Sequence, residues 1–162
     1  LSRGLGDVYK RQANAYKENQ VTVVYDTMWE GTEKLAHGIA EEIHRQAPDT
    51  VVKVFSIAKS DKNDVMTEIF KSKAIAVGSP TVMNDALSSV VGWISFLRSL
   101  KFKNKKAAAF GCYGWSGESV KIIQEGLRGA GFDVVDTGIR ANWNPSAEDL
   151  AKIPDMVREL LD

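Results

Sequence analysis

Five short runs rich in β-branched and small apolar residues recur along the chain, and longer amphipathic segments separate them. The runs are VTVVYD (21–26), VVKVFSI (51–57), KAIAVGS (73–79), KKAAAFG (105–111) and FDVVDTG (132–138). Runs of this length and composition are typical of β-strands. Because parallel strands need long crossover connections, strands separated by helices predict a parallel sheet.

The segments between the runs carry apolar residues at helical spacing. They cover 32–46, 64–72, 87–100 and 117–129, and a last segment covers 145–162. Pro154 interrupts that last segment, which predicts a kink or two short helices. Trp93 and Phe96, in the third predicted helix, are expected to lie in the core.

This alternation of strand and helix predicts an α/β fold, namely a flavodoxin-like three-layer sandwich with a five-stranded parallel sheet in the order 2-1-3-4-5. Lys53 lies in the middle of the second run, and a charged residue there favours an edge position for that strand. Ligands in such sheets bind beyond the carboxyl ends of the strands, at the switch point between strands 1 and 3.

Charge and cysteine content exclude several classes of function. The chain has 21 basic and 21 acidic residues, so no net field attracts nucleic acid or an anionic membrane. No apolar run approaches the roughly 20 residues of a membrane span. The one cysteine, Cys112, excludes an internal disulfide, and we expect a reducing, cytoplasmic setting.

The first twelve residues, LSRGLGDVYKRQ, carry no pattern that joins them to the rest. They resemble translated adapter sequence, so we expect 1–12 to be a non-native or disordered arm and 13–162 to form the domain. The natural protein is then expected to extend upstream.

The loops after strands 1, 3 and 4 have unusual compositions. They read TMWEGT (27–32), GSPTVMNDAL (78–87) and GCYGWSGES (111–119). A helix N-terminus with hydroxyl groups suits a phosphate, glycines allow close backbone approach, and aromatic rings provide flat apolar walls. The first loop alone is equally consistent with a threonine that only caps the helix. Because all three loops meet at one sheet edge, they predict one binding site.

At this point the sequence resembles a known family. The segments YDTMWEGTEKLA, VGSPTVMND and FGCYGWSGESV are similar to the three flavin-binding loops of flavodiiron proteins, also called A-type flavoproteins, and the resemblance covers about residues 20 to 162. In that family a di-iron domain of the metallo-β-lactamase fold reduces oxygen or nitric oxide, and a flavodoxin domain supplies electrons from FMN. The resemblance implies that this chain is the flavodoxin domain.

The resemblance also implies a set of FMN-binding residues. The phosphate would be held by Thr27, Met28, Trp29, Gly31 and Thr32, with Glu30 between them. The ribityl chain and one ring edge would be lined by Ser79, Pro80, Thr81, Val82, Met83 and Asn84. The other wall would comprise Cys112, Tyr113, Gly114, Trp115, Ser116 and Gly117. The family usually has serine at the positions of Gly31 and Cys112, asparagine at Met83 and glycine at Asp85. It implies no catalytic side chain and no metal ligand in this domain.

The expected function is therefore electron transfer by FMN, with oxidoreductase activity only in the full-length protein. The implied partners are the di-iron domain, an electron donor such as rubredoxin or an NAD(P)H-dependent reductase, and a second copy in a head-to-tail homodimer. Two alternatives stay open: a free-standing flavodoxin-like NAD(P)H-dependent quinone reductase, and an interaction module without a cofactor.

Overall fold

Helices cover both faces of a parallel sheet in the computed structural model, which describes residues 17–162. The elements in chain order are β1 (Glu18–Tyr25), α1 (Gly31–Gln46), β2 (Val51–Ser56), α2 (Lys62–Lys71), β3 (Ser72–Gly78), β4 (Thr81–Val82), β5 (Asp85–Ala86), α3 (Ser88–Leu100), β6 (Lys106–Tyr113), α4 (Glu118–Gly129), β7 (Asp133–Val134), β8 (Ile139–Asn142), α5 (Ala147–Leu150) and α6 (Ile153–Leu161). The predicted arm 1–12 lies outside the described residues.

The sheet has the order β2-β1-β3-β6-β7, and β8 also pairs with β6. All of these pairs are parallel. The predicted α/β class and the predicted strand order are confirmed, with β2 at an edge. The last helical segment divides into α5 and α6, and Pro154 lies in the first turn of α6. Proline is tolerated there because the first-turn amides have no acceptor within the helix.

The predicted fifth strand, 132–138, is wrong in its extent. The chain pairs with β6 at Asp133 and Val134, leaves the ladder, and pairs with β6 again from Ile139. At the break, the side-chain amide of Gln124 in α4 donates to the Asp136 carbonyl at 3.3 Å. Because the chain pairs with β6 again, β8 runs beside the end of β6 and brings residue 143 to the carboxyl edge of the sheet.

A small antiparallel hairpin, β4 and β5, lies in the second loop, where the sequence predicted only irregular structure. Its two turn residues, Met83 and Asn84, have φ angles of 50° and 63°. Two consecutive left-handed residues are typical of a type I′ hairpin turn, and asparagine tolerates that conformation well.

Two apolar clusters cover the two faces of the sheet. On one face, Val24, Ile75, Val77, Ala107 and Ala109 pack against α2, α3 and α4. On the other face, the alternate strand residues pack against α1 and α6. The central strands are therefore buried on both sides, as parallel strands usually are.

Trp93 in α3 is buried, as predicted, whereas the prediction for Phe96 is wrong. Half of Phe96 is exposed, because the buried stripe of α3 continues through Leu97 and Leu100 instead. Among the helices of the described region, none combines the length and the apolar character that crossing a membrane requires.

A cluster of three phenylalanine rings gives the first testable prediction. Phe102 is buried, and its ring centroid lies 4.7 Å from that of Phe132 and 5.7 Å from that of Phe70. We expect Phe102→Ala to lower the free energy of unfolding by about 3–5 kcal/mol, because it leaves a cavity in the core. Urea denaturation measures the change. The control Phe96→Ala should change it by less than about 0.5 kcal/mol, and equal losses for the two variants would contradict the prediction.

Candidate functional site

A cavity of about 280 Å³ lies at the carboxyl ends of β1, β3 and β6. It is lined by Thr27, Met28, Trp29, Gly31, Thr32, Pro80, Thr81, Val82, Cys112, Tyr113, Gly114, Trp115 and Trp143. All of these except Trp143 belong to the residues predicted from the sequence. The three loops therefore meet at one place, as their positions after parallel strands require.

The remaining predicted residues do not line this cavity. They are Glu30, Ser79, Met83, Asn84, Ser116 and Gly117. Glu30 precedes α1 with a left-handed φ of 66°, and Met83 projects into solvent at the hairpin turn. The part that these residues take in cofactor binding stays a prediction.

The first loop is held by Asp26, the residue directly after β1. One carboxylate oxygen of Asp26 accepts from the Thr27 amide at 2.8 Å, and the other accepts from the Ser89 hydroxyl at 2.5 Å. The amide of Asp26 donates to the Gly78 carbonyl at 3.1 Å. The loop is thus fixed to both β3 and α3 before α1 begins.

The N-terminus of α1 has no side-chain cap. Glu30 occupies the capping position, and its side chain makes no capping hydrogen bond. The alternative in which a threonine merely caps this helix is therefore wrong. The first amides of the 16-residue helix retain their partial positive charge and their free donors at the edge of the cavity.

Two buried hydroxyl groups in the cavity wall have no partner. The hydroxyls of Thr27 and Thr32 are inaccessible to solvent and make no hydrogen bond within the part of the chain that the structure describes. Leaving a buried hydroxyl unpaired costs about 1–3 kcal/mol, and such groups are rare in native proteins. Beside an uncapped helix N-terminus, these two donors fit an anionic group such as a phosphate.

The second and third loops are joined by hydrogen bonds of serine and threonine side chains. The Ser79 hydroxyl accepts from the Leu87 amide at 2.8 Å and donates to the Pro80 carbonyl at 2.9 Å. The Ser119 hydroxyl donates to the Ser79 carbonyl at 3.0 Å. Ser79 is thus a positioning residue that holds the loop.

A second pair of contacts links the same two loops nearer the surface. The Ser119 amide donates to the Thr81 hydroxyl at 3.1 Å, and the Ser116 hydroxyl donates to the Asn84 side-chain oxygen at 3.1 Å. These bonds hold the hairpin against the start of α4, so the cavity walls keep their spacing.

Cys112 lies in the cavity wall against the first turn of α1. A Cβ placed on Gly31 would lie 2.8 Å from the Cys112 sulfur and 2.5 Å from the Trp143 carbonyl oxygen. Neighbouring atoms thus already occupy the space that a side chain at position 31 would need. Burial raises the pKa of the Cys112 thiol to about 11, although the nearby Thr32 hydroxyl lowers it somewhat without forming an ordinary hydrogen bond.

Sequence reasoning missed Trp143. Its amide donates to the Tyr113 carbonyl at 2.8 Å, and a Cβ placed on Gly114 would lie 2.8 Å from the Trp143 ring. The fifth strand predicted from the sequence ends at residue 138, so the segment 139–144 lies outside the predicted elements. The available signal was the segment IRANW (139–143), in which a tryptophan follows alternating apolar and polar residues.

The cavity is apolar and uncharged apart from the helix dipole. Among its lining residues in the described part of the chain, none carries a formal charge. Within residues 17–162, no group of histidine, cysteine and acidic side chains could hold a metal ion. The arrangement can therefore bind a planar apolar group on its walls and an anion at α1, but it offers no nucleophile with a matched base.

Comparison with known proteins agrees with this geometry. The family model described as Flavodoxin matches residues 23–153. The anaerobic nitric oxide reductase flavorubredoxin of Aeromonas hydrophila subsp. hydrophila is 40% identical over 152 residues, which cover 94% of this chain and 30% of that protein. The flavorubredoxin of Escherichia coli O1:K1 is 36% identical over 154 residues, 95% of this chain and 32% of that protein.

Two solved structures share the fold closely. Rubredoxin oxygen:oxidoreductase from Desulfovibrio gigas matches with a TM-score of 0.86 and 34% identity over 95% of this chain and 37% of that chain. The flavodiiron protein from Giardia intestinalis matches with a TM-score of 0.83 and 30% identity over 94% of this chain and 37% of that chain. The chain spans about a third of the length of these relatives.

The close packing at Gly31 gives a second prediction. We expect Gly31→Ala to lower the free energy of unfolding by about 1–3 kcal/mol, because the new methyl group would overlap the Trp143 carbonyl and the Cys112 sulfur. Urea denaturation provides the measurement. Gly92→Ala is the matched control, because nothing lies within 4 Å of its Cβ position and alanine favours a helix, which should stabilise the protein by about 0.5–1 kcal/mol. A Gly31→Ala protein as stable as the wild type would contradict this packing.

The buried thiol gives a third prediction. Since the thiolate is the reactive form, the alkylation rate of folded Cys112 by iodoacetamide should keep rising with pH up to about 11. In the urea-unfolded chain the rate should level off above a pH of about 8.5. At pH 8 we expect the folded protein to react more than about tenfold more slowly. A rate in the folded protein that levels off near pH 8.5 would show that the thiol is not buried in this way.

Proposed function

Because the chain belongs to the flavodoxin family, we propose that its cavity binds FMN and that the domain transfers electrons through this flavin. The relatives named flavorubredoxin and flavodiiron protein support a flavin cofactor for this fold. The residues proposed to bind are those predicted from the sequence, with the cavity-lining members as the core of the set.

The unpaired hydroxyls of Thr27 and Thr32 are the observation that carries this proposal. A phosphate offers several acceptor oxygens and negative charge, so it satisfies both hydroxyls and the free amides at the start of α1. No lysine or arginine among the described cavity residues is needed, because the helix dipole already favours an anion. Apolar and aromatic side chains on the remaining walls, such as Val82 and Tyr113, suit a planar ring system.

The protein's own contribution is to hold and orient the cofactor. Bound FMN would supply one-electron and two-electron transfer, which no side chain of the described site provides. Ser79 and Ser119 keep the second and third loops at a fixed spacing, and Asp26 fixes the first loop. The apolar walls would reduce the contact of the ring with water.

We further propose that this domain, 13–162 with 1–12 as a non-native arm, works within a larger protein. There it would pass electrons to a di-iron domain that reduces oxygen or nitric oxide. The donor would be a rubredoxin or an NAD(P)H-dependent reductase, and two copies would pair as a homodimer. The similarity to nitric oxide reductase flavorubredoxins and to rubredoxin oxygen:oxidoreductase supports the acceptors and the rubredoxin donor in this proposal. The single cysteine favours a cytoplasmic location.

Flavin titration tests the proposed function directly. We expect the purified chain to bind FMN saturably and riboflavin at least about tenfold more weakly, since riboflavin lacks the phosphate. Absorbance and fluorescence titrations with FMN, riboflavin and FAD measure this. No binding of FMN would contradict the proposal. Steady oxidation of NADPH by a quinone on the FMN-loaded chain would instead favour the alternative quinone reductase.

The two threonines give a sharper prediction. We expect Thr27→Val and Thr32→Val each to weaken FMN binding by about 10-fold to 100-fold, because a hydrogen bond to a charged group is lost, and to leave riboflavin binding unchanged. In the flavin-free protein the same substitutions should raise the free energy of unfolding by up to about 1–3 kcal/mol, because an unpaired buried hydroxyl is removed.

Thr67→Val is the matched control for these variants. The Thr67 hydroxyl is exposed and donates to the Asn63 carbonyl on α2, away from the cavity. It should leave FMN affinity unchanged. Equal weakening of FMN and riboflavin by Thr32→Val would show that the hydroxyl does not contact the phosphate.

A further inference from the structure

Trp143 lies at the site only because the chain rejoins β6 after its break. The pairing of Cys112 with Ala141 and of Tyr113 with Asn142 runs β8 to the same sheet edge as the three predicted loops. The residue that follows β8 therefore stands at the cavity, and Trp143 is part of its lining. Residues 143–146 form a fourth loop at this edge.

The backbone of Trp143 is held firmly in an unfavourable conformation. Its φ angle is 57°, in the left-handed region that bulky residues rarely adopt. Its amide donates to the Tyr113 carbonyl at 2.8 Å, and its carbonyl oxygen packs against Gly31. The next residue, Asn144, accepts a hydrogen bond from the Lys34 ammonium group on α1 at 3.1 Å. The fourth loop is thus tied to both the third loop and α1.

The indole of Trp143 lies on the backbone of the third loop but is not buried there. Its ring atoms contact Gly114 so closely that a Cβ would come within 2.8 Å, while 65% of the residue remains exposed. By contrast, Trp115 is 98% exposed. An aromatic side chain that is anchored on one side and open toward a cavity on the other is placed to bind a planar group.

We propose that Trp143 is a further binding residue of the flavin site, whose indole packs against the isoalloxazine ring. This inference rests on the proposed function. The carbonyl of Trp143 abuts the first turn of α1, where the phosphate donors lie, and its indole abuts Gly114 in the loop proposed as a ring wall. Trp143 therefore connects the phosphate end of the site to its ring end, and its side chain recognises the ring and not the phosphate.

Affinities of the full chain for FMN and riboflavin test this assignment, with Trp143→Gly as the main variant. Glycine adopts a positive φ without strain, so this substitution removes the indole and retains the backbone. We expect it to weaken the binding of FMN and of riboflavin by the same factor, about 5-fold to 100-fold. Losses of this size are typical when an aromatic residue that stacks on a nucleobase is removed. Trp143→Phe should retain most of the affinity for both flavins.

Two further variants distinguish loss of the ring contact from other effects on flavin affinity. Phe96→Ala removes a half-exposed aromatic residue on α3, away from the cavity, and should leave both affinities unchanged. Thr32→Val should affect FMN alone, whereas Trp143→Gly should affect both flavins. Thermal denaturation of each flavin-free variant shows whether it is folded. If the glycine variant is not folded, Trp143→Asn replaces it with the same expected loss for both flavins, because asparagine also tolerates a left-handed φ.

Four outcomes would overturn the inference, the last of them together with the proposed function. Unchanged affinity of Trp143→Gly for both flavins would show that the indole makes no contact with the ring. A loss confined to FMN would show that Trp143 acts through the phosphate end. A Trp143→Phe protein that is folded but as weak as the glycine variant would show that an aromatic ring is not what the site uses. A wild-type chain that bound neither flavin would overturn the proposed function itself and this inference with it.

Discussion

Parallel pairing of β1, β3 and β6 determines where the loops and the cavity lie. Because these strands run in one direction, every loop that leaves them emerges at the same edge, and each return crossing must be a helix on one face or the other. Small residues, such as Ala76 and Ala108 on one face and Ala107 and Ala109 on the other, let helices cover both faces closely. The cavity is the space that remains where the crossings diverge around β1 and β3.

Much of this arrangement could be predicted from the sequence, for physical reasons. Strands buried on both faces appear as continuous apolar runs, so β1, β3 and β6 and their order were evident. Clusters of glycine, hydroxyl and aromatic residues directly after those runs identified three loops. The break between β7 and β8 was not evident, because residue pattern alone does not show where a chain leaves and rejoins its partner strand. Trp143 was missed for the same reason.

Contacts among the loops show how the site keeps its shape. Asp26, Ser79 and Ser119 join the loops through hydrogen bonds of 2.5 to 3.0 Å, and Gly31 and Gly114 allow the fourth loop to approach α1 and the third loop. None of these contacts requires a ligand. The walls are thus preorganised, and a ligand would lose little free energy in ordering them.

In the described part of the chain, the two threonine hydroxyls of the cavity wall have no hydrogen-bond partner, and the first amides of α1 have no side-chain cap. Binding of an anion that accepts hydrogen bonds from these groups is thermodynamically linked to folding, because the anion binds the native state and has no equivalent site on the unfolded chain. The lifetime of the protein in a cell would then depend on ligand supply. Copies that lack the ligand open more often and are the ones that proteases remove first.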